Sequence, residues 1–489
     1  MKNPKLLAVI IVAVLALAYV VTNVFVGQRI EREVALLATS LTARDDIQVT
    51  RMEYERGFRD GVLRYDFTWR PLDADANALR MMDMLDMGPD DGLRMAGTLD
   101  MRHGPWVGQG AGFALAGTTG VVALPEPLRP FLPQYPGQAP LLHITGSMTF
   151  AGMLETQLEL VDYHGGITAP QLEADVSLSL QGLQGTLRTS SRLDRLGLDV
   201  RVAHAAIGLR DAGEFAQFSL DDFYFEADMT EARPWVWIGS SRNGLAQVEV
   251  MVPEHHFSMR DVLLAWDAWI EGDGLNVSNA VEIGPSRLDG YALDSATLSM
   301  SLRKLDVNAV ATLAELGERA RRDAIGGAGP GRAVDSEHEQ AQMRAALQRI
   351  LAGGPVAGID ELRIAVVAPD DLSGRLELGF DEGVVFSFEA PQALAGAVRA
   401  EAELVVSKQL LRHVAGLMAI EQLPPDASPA EQAALAESTY QEGMAGLQVL
   451  PFIDIRAEHI AVSAEISDGI LKIGGVELMN VAALLGAGA

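Results

Sequence analysis

Residues Gly61–Arg70 read GVLRYDFTWR. Leu63, Tyr65, Phe67 and Trp69 alternate with Arg64, Asp66, Thr68 and Arg70. Successive side chains of a strand point to opposite faces, so this alternation specifies a strand with one apolar and one polar face. The pattern recurs along the chain. Leu172–Gln181 alternates over ten positions, as do Ile144/Met148/Phe150, Leu298/Met300/Leu302, Leu376/Leu378/Phe380 and Ala400/Ala402/Leu404. Val384/Phe386/Phe388 reads the same way. Turn signals such as Gln181-Gly182, Asp273-Gly274 and Asp381-Glu382-Gly383 lie between these runs. Strands joined by short turns pair antiparallel, because parallel neighbours need long crossovers. The expected fold is mainly β: extended, twisted antiparallel sheet with a few covering helices, built from on the order of twenty strands.

Working outward towards the N-terminus, Leu6–Val26 carries no charged side chain. At about 1.5 Å per residue its helix spans roughly 30 Å, a bilayer's hydrocarbon thickness. Lys2 and Lys5 precede it, which places residues 1–5 in the cytoplasm and the rest of the chain across the membrane. The competing reading is a signal peptide cleaved after Ala18, but the apolar run continues through Tyr19–Val26. Residues 27–46 read as a juxtamembrane helix and linker, with Ile30, Val34, Leu37 and Leu41 at helical spacing.

Towards the C-terminus, a β region over 47–304 gives way to a helical insertion over 305–355. Its first helix spans about Asp306–Ala324, its Gly-rich linker lies at 326–331, and a second helix spans Ser336–Ala352. A second β region covers 356–489 and contains a helical segment at 408–446, where Ser428 caps a helix that begins with Pro429 and has Glu431 in its first turn. Ile453–Ile466 and Ile470–Ile473 read as a closing hairpin.

Composition removes several function classes. A formal net charge of −28 opposes nucleic-acid binding, which needs a basic surface. The absence of cysteine excludes thiol nucleophiles, thiolate metal sites and disulfides. No Gly-Lys pair offers a phosphate-loop lysine, and Gly108–Phe113 begins as a dinucleotide fingerprint but puts Phe113 at its third glycine. His338-Glu339 starts a zincin motif in which Gln342 replaces the second histidine. His255 and His256 are adjacent in a strand and point to opposite faces, against a shared metal. Asp83, Asp86, Asp90 and Asp91 alternate with methionines in a segment read as a loop or short helix with an apolar methionine face. No catalytic set, cofactor site or metal site is assigned.

One ordered set of short motifs carries a family resemblance. Tyr54-Glu55-Arg56-Gly57-Phe58 follows the first strand, His103-Gly104-Pro105 ends the strand Leu93–Arg102, Leu305-Asp306 leads into a helix, and Asp468-Gly469 precedes the last strand. In this order the chain resembles the YdgA-like family of bacterial envelope proteins, whose function is unknown. Gly474-Gly475 departs from the Asn-Gly of that pattern. The resemblance implies an inner-membrane-anchored periplasmic protein and no established activity. Tyr54, Arg56, Gly57, Phe58, His103, Gly104 and Pro105 read as structural: Gly57 for a backbone geometry closed to other residues, Pro105 to end a strand. The expected function is a non-enzymatic envelope protein that binds lipid or another hydrophobic ligand. The alternatives are a structural or assembly factor, as a homodimer, acting through protein contacts, and an envelope hydrolase.

Overall fold

The computed structural model describes residues 25–42, 46–70, 92–103, 114–124, 129, 131–136, 139–167, 175–211, 214–289, 291–325, 336–366, 371–384, 396–424 and 427–481. These residues are mainly β, with 24 strands, and every ladder between them is antiparallel. Twenty-four strands agree with the twenty or so counted from the alternation. The chain divides into two compact units, Met1–Thr230 with Arg322–Gly327, and Glu231–Arg321 with Ala328–Ala489.

The first unit begins with helix α1 (residues 25–42). It continues with β1 (Ile47–Arg56), β2 (Asp60–Trp69), β3 (Leu93–His103), β4 (Ala116–Ala123), β5 (Pro140–Met148) and β6 (Met153–Leu160). After β7 (Tyr163–Ile167) and β8 (Asp175–Gln181) come β9 (Gln184–Ser190), β10 (Arg195–Asp211) and β11 (Glu214–Arg233). Strands β1 to β6 form a meander, and β6 then pairs with β9. β10 is 17 residues long and borders two short strands at once: Leu196–Arg201 pair with β9 and His204–Arg210 with β8. Paired residues share a face, so the register spells out the surface under α1. One row runs Tyr54, Leu63, Leu99, Gly120, Ile144 and Leu158; the next runs Gly61, Met101, Thr118, Gly146 and Thr156. Val26, Ile30 and Val34 of α1 are buried against Leu63, Met101, Leu115, Ala116 and Met148.

Val26 therefore corrects the expected end of the anchor. Its side chain is 1% exposed and packs in the protein core, so it does not face lipid. Phe25 beside it is exposed, and the rest of the expected span, Leu6–Val24, lies outside the described residues. Among the described residues no helix is long and apolar enough to cross a membrane. The Gly-rich linker, the aspartate–methionine stretch, Gly108–Phe113 and Phe386/Phe388 also lie outside them.

The second unit is a meander of β12 (Val236–Val252), β13 (His255–Glu271), β14 (Gly274–Ile283), β17 (Ser295–Asp306), β18 (Val356–Ala365), β19 (Leu372–Phe380), β20 (Val398–Ser407), β22 (His459–Ser467), β23 (Ile470–Ile473) and β24 (Val476–Asn480). Short β15 (Ser286–Leu288), β16 (Tyr291–Leu293) and β21 (Asp454–Ile455) lie on its edges. Helices α2 (Val307–Ile325) and α3 (Ser336–Ala352) connect β17 to β18; α4 (Lys408–Gln422) and α5 (Pro429–Gln448) connect β20 to β21. Asp306 accepts from the Ala309 amide at 2.7 Å and starts α2. α5 begins with the anticipated cap: Ser428 accepts from the Glu431 amide, and Glu431 returns a bond to the Ser428 amide. The tight pair Gly474-Gly475 joins β23 to β24 with both residues at positive φ, the requirement of a two-residue hairpin turn. β24 itself was absent from the expected closing hairpin.

Candidate functional site

Below α1 the first unit holds an apolar cavity of about 380 Å³. Its roof is Glu33, Val34, Leu37 and Leu41 of α1, so the helical stripe read from the sequence faces the cavity and the core beside it. Its floor is the concave sheet face, with Leu63, Tyr65 and Phe67 from β2, Met95, Leu99 and Met101 from β3, and Ile144, Leu154 and Leu158 from β5 and β6. The strand GVLRYDFTWR thus sends its apolar side chains into this space, while Arg64 and Asp66 on its other face pair with Glu55 at 3.1 Å and Arg94 at 2.6 Å. Glycines deepen the floor. A Cβ on Gly97 would meet the Tyr65 hydroxyl at 2.6 Å, and one on Gly120 would meet Leu99 at 2.3 Å.

The motif residues gather at one end of this assembly. Gly57 donates from its amide to the Asp60 carbonyl at 2.8 Å and turns β1 into β2. A Cβ there would lie 2.4 Å from that same backbone oxygen, which is why the position needs glycine. His103 anchors its amide on the Arg59 carbonyl at 2.8 Å, and its ring packs edge-on to Tyr54 with centroids 6.4 Å apart. Arg56 lies across α1 at Gly27, where a Cβ would sit 2.7 Å from the arginine side chain, and reaches Glu31 at 3.6 Å. Tyr54, Arg56 and His103 therefore form the seat on which the start of α1 docks. Phe58 is exposed in the turn; Gly104 and Pro105 lie outside the described residues. Gly27 had no sequence signal beyond being a glycine inside a helical stripe.

The seat is dry. His103 is 2% exposed, and neither ring nitrogen has a hydrogen-bond partner among the described residues. Burial lowers its pKa, although the nearby carbonyls of Gly57 and Asp60 oppose the shift. The Tyr54 hydroxyl is also buried without a partner, and burial pushes its pKa up to about 12.

Other sequence candidates are satisfied locally. His255 pairs with Asp289 at 2.5 Å and His256 with Glu249 at 2.8 Å, on opposite faces as the alternation requires. His204 pairs with Asp221 at 2.7 Å. Among the described residues no group of three or more carboxylates and histidines is placed to hold a metal ion. A larger groove of about 680 Å³ lies on the second unit's sheet, but its charges neutralise one another. Arg375 meets Glu401 and Glu403, both at 3.3 Å, and Arg399 meets Asp381. That groove reads as a solvated, charge-laddered sheet face. The opposite face of the same sheet is mainly apolar: Trp266, Met300, Ile359, Leu376, Ala402 and Ala464, interrupted by Asn279, form one row across seven strands.

No curated protein and no solved structure matches this chain. A family model matches residues 1–479. With that match over nearly its whole length, the chain belongs to DUF945, a family of bacterial proteins of unknown function.

Proposed function

We propose that this protein is a membrane-anchored envelope protein that holds an apolar ligand, first of all a lipid acyl chain, in the cavity under α1. The observation that carries the reading is the cavity itself: about 380 Å³, lined mainly by Leu, Met, Ile, Val and aromatic side chains. That volume falls in the range of about 300–1,000 Å³ in which proteins hold small ligands. The position of the roof supports a membrane setting, since α1 follows directly on the charge-free run Leu6–Val24. An inner-membrane anchor with the bulk of the chain in the periplasm, and the narrower YdgA-like naming, belong to this proposal. No catalytic step is assigned.

Binding of a neutral apolar dye, Nile red, to the detergent-extracted full chain tests the reading. Saturable binding at one site per chain is expected, abolished by Ile144→Trp, which fills the cavity floor. Failure to bind, or equal binding by the variant, refutes it.

A second reading, an assembly factor or homodimer working through protein contacts, is favoured by the second unit's apolar sheet face. Met300, Leu302, Leu376, Leu378 and Leu404 remain 38–41% exposed there. Contiguous exposed apolar surface marks interaction sites. Light scattering of the full chain separates the two: a dimer broken by Leu376→Glu supports contacts through this face.

A further inference from the structure

We infer that the cavity selects amphiphiles with an uncharged, hydrogen-bonding head, such as a monoacylglycerol, over ionised fatty acids of the same chain length. The inference rests on the cavity being the ligand site, and it adds the chemistry of the ligand's polar end.

Three observations carry it. The first is a pair of free hydroxyls in a mainly apolar lining, which also holds Glu33, Ser147 and the buried Tyr65 hydroxyl. Thr118 and Thr156 lie on the row that crosses Gly146, on either side of it, and both line the cavity. A Cβ on Gly146 would sit 2.5 Å from Thr118 Oγ1 and 3.6 Å from Thr156 Oγ1, so the glycine leaves a gap between the two hydroxyls. Neither side chain hydrogen-bonds within the described protein, although Thr145 and Gln157, neighbours on the opposite face, bond to each other at 3.4 Å. A hydroxyl both donates and accepts, so the pair matches a head that does the same, such as a glycerol hydroxyl or an ester.

The second observation is charge. The carboxylate that the roof brings to the cavity is that of Glu33; the Glu155 side chain lies with its partner Arg188 on the sheet face opposite Leu154 and Thr156. The cationic partner of Glu33, Arg29 at 3.7 Å, is outside the lining. Ser191 Oγ also donates to Glu33. A carboxylate head would enter with no lysine, arginine or histidine of the lining to receive it, beside the Glu33 carboxylate. In a site of low dielectric that repulsion is poorly screened.

The third is size. Set against about 30 Å³ of liquid per water-sized group, a cavity of about 380 Å³ takes on the order of a dozen such groups. That matches a single acyl chain of about twelve carbons, and it is too small for a two-chain phospholipid held whole.

Displacement of Nile red from the full chain by 1-monolauroylglycerol and by laurate at pH 8 tests this. The wild type is expected to bind the glyceride at least tenfold more tightly than laurate. Thr118→Val with Thr156→Val, which removes the hydroxyls and keeps the shape, is expected to weaken the glyceride about tenfold relative to laurate, each read against the variant's own dye affinity, in keeping with two ordinary hydrogen bonds. Glu33→Gln is expected to strengthen laurate. Laurate binding as tightly as the glyceride, or a valine variant indistinguishable from wild type, overturns the inference. If the dye binds and Ile144→Trp abolishes it while these preferences fail, only the head-group selection falls. If the dye never binds, the cavity reading falls and takes this inference with it.

Discussion

Gly57 and His103 show how much depends on single positions. The alanine methyl of a Gly57→Ala variant meets the Asp60 backbone oxygen, which no rotamer change relieves. Forced backbone shifts of this kind cost about 1–3 kcal/mol, so a fall of that size is expected in denaturant-unfolding free energy. His103 brings a pH dependence whose sign follows from its burial. Its folded pKa is lowered, so below the ordinary histidine pKa of about 6.5 the unfolded chain takes up the proton first. Stability is then lost as pH falls through that value towards the lowered folded pKa, and it is fully retained above it. Thermal midpoints measured from pH 8 to 5 should decline for the wild type and decline less for His103→Phe, which keeps a ring beside Tyr54 and cannot titrate. Tyr54, Arg56, Gly57 and His103 were singled out from the sequence by motif order alone. That His103 at the end of β3 would reach Tyr54 in β1 across the intervening β2 was not legible, because register between strands is a non-local property.

At the scale of elements, the period of the apolar residues carried most of the information. GVLRYDFTWR forms β2 with its apolar face inward, and the stripe Ile30, Val34, Leu37 and Leu41 forms α1. Each alternation says which face is apolar and not what will cover it. The partner of α1 only emerges when rows from β1 to β6 are laid side by side. Ile30 is the fully buried centre of that contact. Ile30→Ala is expected to cost about 2–5 kcal/mol and to speed hydrogen exchange along α1, whereas a helix resting loosely on the sheet would show neither effect. The cap of α5 was legible from Ser428, Pro429 and Glu431, since capping is local chemistry. Ser428→Ala should lower stability by about 1 kcal/mol, read as a shift in midpoint denaturant concentration. β24 escaped notice because Val476–Asn480 is exposed throughout and offers no alternation to read.

For the whole molecule, the sequence set the class and left the site open. Among the described residues, twenty-four strands and the absence of any parallel ladder follow from one-faced strands with short turns. The cavity does not, because its lining comes from α1 and strands separated by up to about 120 residues, and the small residues that deepen it sit opposite large ones only in the folded register. The polar pair Thr118 and Thr156 has no sequence signature for the same reason. As a ligand site, this cavity is occupied in the cell by an apolar molecule. Native mass spectrometry of the full chain, extracted from its own membranes in mild detergent, measures that directly. An added mass of one single-chain amphiphile is expected on the wild type, and its loss from Ile144→Trp. A wild-type spectrum showing only the bare polypeptide, or the same adduct on both proteins, would contradict it.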